Sequence, residues 1–345
     1  MFTKDLIIPK ESTKTKDVSK ADDDTSLIVP NQHLDLKTLT SVGSKILNSL
    51  YKKRDSKDQI LDLTQDIWNK MHVLKNATSL KNWQTFIATS VDSHPLKAAF
   101  KEDPAVKRSI DQPRGYPGDA GLLDYYYGFS KINSNITPMG LTFLTVNVNV
   151  PAAWAVRARL KILANYIDNT LNSVSGTPRI LSIACGYLRE LHYSNQINHR
   201  PSEFFALDHD EKSLSIVQKN WGSLVQTCKI SVFSLLRGSN LGLGQFDLIY
   251  AAGLYDYLNK ETAMHLSKYL LTHINPGGKL VITNFLNTSN CSACLEAFMN
   301  WHLIYRSIED MEALFLNINA EGIYSKKIYT EEHNQIVFLE ISKNI

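Results

Sequence analysis

Apolar residues recur at steps of three and four along the first part of the chain and gather into short runs bounded by turn residues along the second, so the period itself divides the sequence. From about Leu34 to Ala99 the helical series runs Leu39, Val42, Ile46, Leu47, Leu50, then Ile60, Leu61, Leu63, Ile67, Trp68, Met71, then Leu80, Trp83, Phe86 and Ile87. Breaks are expected near Lys52–Asp55 and Lys75–Thr78. Residues 151 to 172 predict a further helix, opened by Pro151 and carrying Trp154, Val156, Leu160, Leu163, Ile167 and Leu171. Ahead of all this, residues 9 to 26 are polar and mixed in charge, with too few apolar groups to offset the entropy of ordering. The spacing therefore predicts a disordered tail over 1–26, or a targeting or secretion tail.

Beyond residue 178 the pattern alternates strand and helix. Arg179–Ile183, Phe204–Leu207, Ile230–Phe233, Phe246–Tyr250, Lys279–Phe285, Ile323–Tyr329 and Gln335–Ile341 read as strands. Between them 213–221, 260–273 and 309–318 read as helices, and the last two strands flank the polar turn 330–334. Seven strands with interleaved helices make an α/β fold.

The first strand ends in Ser182-Ile183-Ala184-Cys185-Gly186, then enters what reads as a helix. Strand, tight turn and helix N-terminus meeting within twelve positions is how α/β folds hold a nucleotide. Twenty-two residues past Gly186 the next strand stops on Asp208, an acid placed to accept the ribose hydroxyls of a nucleoside.

These residues resemble class I S-adenosylmethionine (SAM) dependent methyltransferases. Phe246–Leu258 is similar to their fourth strand and active-site turn, and Asn275–Ile282 to their turn into strand five. The resemblance covers roughly 151 to 345 and implies a Rossmann-like seven-stranded core with SAM as cofactor. It implies cofactor contacts at Ala184, Cys185, Gly186, Asp208, Ala252 and Gly253, with Ser234 and Leu235 at the adenine by position. The chain departs from the family where an acidic strand residue and a glycine run are usual, since Ser182 and Ala184-Cys185-Gly186 stand there. The bland alternative is an α/β domain with a degenerate nucleotide site.

Two prolines and three glycines within eleven residues make 111–121 a rigid irregular loop carrying Arg114, Tyr116 and Asp119. "RGYPGDAGLLDYYY" resembles the loop preceding the catalytic domain in enzymes that make 3-hydroxypalmitate methyl ester and in related small-molecule methyltransferases. This implies a helical lid or substrate region over 27–145 before a methyltransferase domain over 146–345, with Arg114 and Asp119 at the cofactor and Tyr116 at the reacting centre. The alternative is a loop that only links the two parts. Met299–Arg306 offers Trp301, Tyr305 and Arg306 as an acceptor wall, or else an amphipathic helix with a solvated arginine.

Composition adds limits. Of 345 residues, 43% are apolar, and 37 Lys plus Arg face 34 Asp plus Glu for a formal +3, so no global basic field invites nucleic acid. No apolar run approaches the length of a membrane span and the first residues lack a signal-like core, so a cytoplasmic protein is expected. Cys291 and Cys294 have the spacing C-x-x-C without a second pair and read as helix residues, with no metal expected. A carboxylate acceptor needs no catalytic base; an amine or hydroxyl does, and Tyr116, Tyr255, Asp256, Asp119 and His302 are the candidates. The function expected is methylation of a small-molecule carboxylate or amine. A SAM-binding interaction protein without turnover and a protein methyltransferase are the alternatives.

Overall fold

The computed structural model describes residues 33–54, 60–238, 242–318 and 323–345; the expected disordered tail over 1–26 lies outside them. Among the described residues seven α-helices come first: α1 (Leu36–Lys53), α2 (Ile60–Asn76), α3 (Leu80–Phe86), which runs on into a π-helical turn over Ile87–Val91, α4 (Pro95–Phe100), α5 (Pro104–Asp111), α6 (Ala120–Tyr127) and α7 (Pro138–Asn147). They are followed by α8 (Pro151–Ser173), β1 (Arg179–Ile183), β2 (Glu203–Asp208), α9 (Glu211–Trp221), β3 (Val225–Lys229), α10 (Val232–Leu236) and β4 (Phe246–Ala251). The chain closes with α11 (Lys260–Leu271), β5 (Ile274–Phe285), α12 (Ser292–Met299), α13 (Ile308–Ile318), β6 (Tyr324–Thr330) and β7 (Ile336–Lys343).

Two compact units emerge. One holds the residues up to Ala153 together with Asn290–His302; the other holds Trp154–Ser289 and Leu303–Ile345. The division thus falls eight residues later than the 145/146 boundary read from sequence, and it moves a segment that follows β5 into the helical unit. The reason is a buried carboxylate: Glu296 on α12 accepts from Lys75 Nζ at 2.6 Å and Trp83 Nε1 at 2.8 Å. Phe298 beside it stacks on Phe100, whose other face meets Phe143. Cys291 caps α12 and Cys294 lies within it, both buried.

Helix starts in this unit follow local chemistry. Proline opens α4, α5 and α7, and His94, Asp103 and Thr137 before them accept backbone N–H bonds. Asp103 is the costly one, fully buried with Asn147 Nδ2 donating to it at 2.7 Å, and burial pushes its carboxyl up to about 7. Between about pH 4 and 7 the folded chain therefore keeps a proton that the unfolded chain has released, and stability falls as pH rises through that window, by at most about 4 kcal/mol. Asparagine caps as well as aspartate, and Asn147 Oδ1 has no hydrogen-bond partner, so its amide can turn to accept. Asp103→Asn is expected to flatten this pH dependence and to raise the melting temperature at pH 8 relative to pH 5. Thermal unfolding of both proteins at the two pH values checks it.

The second unit is built on a seven-stranded sheet of order β3-β2-β1-β4-β5-β7-β6. β3-β2, β2-β1, β1-β4 and β4-β5 pair in parallel, while β7 runs antiparallel to both β5 and β6. This is the Rossmann-like core of the class I methyltransferase fold, with the reversed seventh strand inserted as expected. On one face Leu181, Ile183, Ile249, Ala251, Leu280, Ile282 and Leu339 pack against Leu266 and Leu270 of α11 and Met311 and Leu314 of α13. On the other lies α8, whose Tyr166 hydroxyl bonds Tyr329 Oη at 2.9 Å and Glu340 Oε2 at 2.6 Å.

Strand three is a correction. The apolar run Ile230–Phe233 is not the strand; β3 is the more polar Val225–Lys229, and the run instead leads into α10, where Val232 and Leu235 turn inward at helical spacing. An edge strand pairs on one side only and tolerates polar residues that an interior strand does not. Among the described residues no single helix is long and apolar enough to cross a membrane.

Candidate functional site

Strand order reverses between β1 and β4, and crevices at the carboxyl ends of strands flanking such a reversal are where open α/β sheets take ligands. β1 ends there in a turn whose Ala184, Gly186 and Leu188 all have left-handed backbones, with φ of 51°, 54° and 53°. For a non-glycine residue that region costs roughly 1–2 kcal/mol, and strain of this kind concentrates at binding sites. The repeated left-handed residues also explain a second correction: no α-helix follows Gly186, only a short 3₁₀ turn over Arg189–Tyr193.

Asp208 holds this turn in place. Its Oδ2 accepts from Gly186 N at 2.9 Å and its Oδ1 from Asp210 N at 2.9 Å, with His209 Nδ1 3.3 Å away. Cys185 N donates to Leu207 O at 3.0 Å, so the ends of β1 and β2 are stitched together twice. A carboxylate oxygen can accept twice, so each Asp208 oxygen keeps capacity for one hydroxyl of a vicinal diol. Cys185 is buried, which pushes its thiol up and keeps it a neutral, small wall of the turn.

Sequence reasoning missed the buried charges beside this turn. Arg159 of α8 is 3% exposed, and a Cβ on Gly253 would lie 3.8 Å from its Nη1 and Nη2, so the guanidinium faces the turn after β4. Glu190, also buried, accepts the Tyr250 hydroxyl at 2.6 Å; burial pushes its carboxyl up, opposed by that bond and by the Arg159 charge. The only sequence signal was a cation set among the alanines, valine and leucine of an otherwise apolar helix face.

Around the turn after β4 the structure redistributes the expected roles. Asp256 is buried, and burial pushes its carboxyl up to about 6 while the bond from Phe285 N at 2.7 Å and the charges of Arg159 and Arg306 pull down. Tyr255 follows the end of β4 but turns its side chain into the core: it is fully buried, its hydroxyl 2.8 Å from Ser267 Oγ, and burial pushes its phenol up. Arg306 is also buried, donating from Nη1 to Tyr255 O at 2.7 Å and to Asn284 Oδ1, and from Nη2 to Leu258 O. It therefore ties the β4 turn to β5 and does not point a free guanidinium at an acceptor. Residues 301–305 form no helix; Asn300 is left-handed, and Arg306 bridges Leu286 in parallel. Tyr305 rests half-buried with its ring 6.5 Å from that of Phe285.

The structure brings Ala184, Cys185, Gly186, Asp208, Ala252 and Gly253 to the ends of β1, β2 and β4; the Ala252 carbonyl accepts from Thr283 Oγ1 at 3.0 Å. On α10, Leu235 points into the core and Ser234 stays partly exposed. Arg114, Tyr116, Asp119, Trp301 and His302 belong to the helical unit. There Asp119 is committed, capping α6 through Leu122 N at 2.7 Å and gripping Arg108 Nε and Nη2 at 2.7 and 2.8 Å. Trp301 is buried, with its backbone N–H on Leu295 O, and Arg114 and Tyr116 are half-buried beside the left-handed Gly115 and Gly118. Among the described residues no three His, Cys, Asp or Glu side chains converge as metal ligands.

No family model matches the chain, and no curated protein does. Among solved structures it is similar to a possible exported protein from Bordetella parapertussis, at 14% identity over 66% of this chain and 80% of that one, with a TM-score of 0.51. It also aligns with magnesium protoporphyrin IX methyltransferase from Synechocystis PCC 6803 with bound SAH, at 11% identity, 64% and 92% coverage and a TM-score of 0.43. A third is N-methyltransferase NodS from Bradyrhizobium japonicum WM9 in complex with SAH, at 11% identity, 55% and 87% coverage and a TM-score of 0.39. Only the first reaches a score that speaks to the fold, and at its identity it speaks to the fold alone.

Proposed function

We propose that the chain is a SAM-dependent methyltransferase acting on a small-molecule acceptor. The observation that carries this reading is the Asp208 carboxylate, clamped to the Gly186 N–H at the switch point with spare acceptor capacity for a ribose diol. Mixed buried charge beside it suits the amino-acid end of the same cofactor, Arg159 toward the α-carboxylate and Glu190 toward the α-ammonium. SAM, when bound, supplies an electrophilic methyl group whose C–S bond breaks as the bond to the acceptor forms, the electron pair remaining on sulfur.

What the protein must do is orient and exclude water. The Ala184–Gly186 turn and Asp208 fix the nucleoside, and Arg159 and Glu190 fix the tail. The finer resemblance to enzymes that make 3-hydroxypalmitate methyl ester makes a carboxylate oxygen the acceptor atom in this proposal, with an amine nitrogen the alternative. A carboxylate requires no proton transfer, which agrees with the structural commitments of Tyr255 and Asp119. The left-handed alanine where the family has glycine favours one second reading, a SAM-binding protein that has lost turnover.

Release of SAH from SAM in the presence of a small-molecule cell extract separates the two, occurring in the first case and not in the second. The loop belongs to the same proposal: Tyr116→Phe and Arg114→Ala are expected to lower SAH release about ten-fold or more while changing SAM affinity less than about three-fold. Equal losses in both would give the loop a cofactor role, and no loss in either would remove it from the reaction.

A further inference from the structure

The far end of β5 carries a group of aromatic side chains that the cofactor site does not use. Phe285 shares a sheet face with Thr283, two residues earlier, and Thr283 bonds the Ala252 carbonyl, so this ring stands about 7 Å along the strand from the β4 turn. The same face carries Phe338 and Tyr329, stacked with centroids 5.1 Å apart, and α8 lies over it through Tyr166.

Two segments flank the end of β5. On one side Arg306 N donates to Phe285 O at 3.0 Å and Asn287 N to Arg306 O at 3.1 Å, which sets the Tyr305 ring on the Phe285 ring. On the other, Leu286 N donates to Gln335 O at 2.8 Å, bringing in the turn between β6 and β7. Tyr305 and His333 thus ride on segments two strand spacings apart, about 10 Å.

The turn that presents His333 is closed by the buried side chain of Glu331. Glu331, 3% exposed, accepts from the backbone N–H groups of His333 at 2.5 Å, Gln335 at 2.6 Å and Ile336 at 3.1 Å. Gln335 Nε2 donates to His333 O at 3.0 Å, and the Ser289 hydroxyl pairs with Gln335 Oε1 at 2.6 Å. His333 leans on the half-buried Trp154 with ring centroids 5.4 Å apart and keeps 30% of its side chain in solvent, Glu332 Oε1 lying 3.6 Å from Nε2. By closing the turn through its backbone N–H groups, Glu331 fixes the main chain from which the partly exposed His333 imidazole meets the Trp154 indole, and a polar tip on a fixed backbone is suited to recognition.

We propose that Trp154, His333, Phe285 and Tyr305 form the acceptor subsite of this enzyme and that it takes a planar aromatic or heteroaromatic ring, with a polar substituent hydrogen-bonded by His333. The inference rests on the methyltransferase reading and narrows its substrate class. Aromatic walls favour a flat π-system over an alkyl chain through offset and edge contacts. His333 is thereby a specificity-determining residue.

Direct ring-probe binding tests it without turnover. 4-Hydroxybenzoate, anthranilate and indole-3-acetate, with hexanoate and hexylamine as aliphatic counterparts, are titrated into the full chain and followed by saturation-transfer NMR. At least one ring probe is expected to bind, about ten-fold more tightly than either aliphatic. Trp154→Ala and His333→Leu should each weaken that probe about ten-fold, and Trp154→Phe should restore most of the loss. Equal binding of ring and aliphatic probes, or ring binding unchanged in both His333→Leu and Trp154→Ala, overturns the proposal. SAM affinity is measured in the same samples: ring selectivity without SAM binding would support the subsite and remove the methyltransferase reading, whereas SAM binding without ring selectivity would do the reverse.

Discussion

Arg306→Ala is expected to destabilise the protein by about 3–5 kcal/mol, the largest stability effect we predict for a single side chain of the second unit. The residue is 4% exposed, and its guanidinium spans the Tyr255 carbonyl, the Leu258 carbonyl and Asn284 Oδ1. Truncation takes their donor from Asn284 Oδ1 and the Leu258 carbonyl and leaves the Tyr255 carbonyl only the Leu258 N–H at 3.1 Å, each buried acceptor left unsatisfied costing roughly 1–3 kcal/mol before water or relaxation recovers part of it. It also removes the cation that helps keep Asp256 ionised in its buried place. Arg306→Lys should recover little, because a single ammonium cannot reach acceptors that a planar fork reaches together. Urea unfolding gives the answer. A variant within about 1 kcal/mol of wild type that has lost turnover would return Arg306 to the acceptor-binding role its sequence context suggests.

Gly186→Val and Asp208→Ala carry the largest expected effects on binding. At φ of 54° a β-branched residue is a steric outlier, so Gly186→Val must distort the turn at the point where its N–H meets Asp208. SAM binding should disappear while the sheet, anchored elsewhere, still folds. Asp208→Ala removes the acceptor of two backbone N–H groups together with the diol site, and a loss on the order of ten- to a hundred-fold in SAM affinity is expected. Asp208→Asn keeps one acceptor and should fall between. Circular dichroism with SAM titration distinguishes a misfolded variant from one that is folded and does not bind.

The Gly186–Asp208 relation was legible because it is a matter of spacing: a turn at the end of one strand and an acid at the end of the next, twenty-two residues on. The strands β1, β2 and β4 were legible for a related reason, being continuous apolar runs in the interior of a parallel sheet. β3 was not, because an edge strand made of Gln226, Thr227, Cys228 and Lys229 after Val225 has no apolar signature, while the adjoining apolar run belongs to a turn and helix. The Arg159, Glu190 and Tyr250 cluster joins residues up to about ninety positions apart on three elements, and nothing local marks their meeting. The same holds for α12, assigned to the helical unit by bonds from Glu296 to residues 221 and 213 positions away. Tyr255 and Arg306 stand in stretches whose aromatic and basic residues invite a functional reading. Which of them face a ligand and which hold carbonyls in the core depends on tertiary contacts that residue type does not encode.

The methyltransferase reading turns on whether the crevice at the ends of β1, β2 and β4 holds SAM. Isothermal titration of SAM, and of SAH, into the full chain and into Asp208→Ala is the most direct measurement. The account predicts saturable one-to-one binding of both compounds to the wild-type protein, weakened at least about ten-fold in Asp208→Ala. Absence of binding to wild type, or affinities in Asp208→Ala equal to those of wild type, would contradict it.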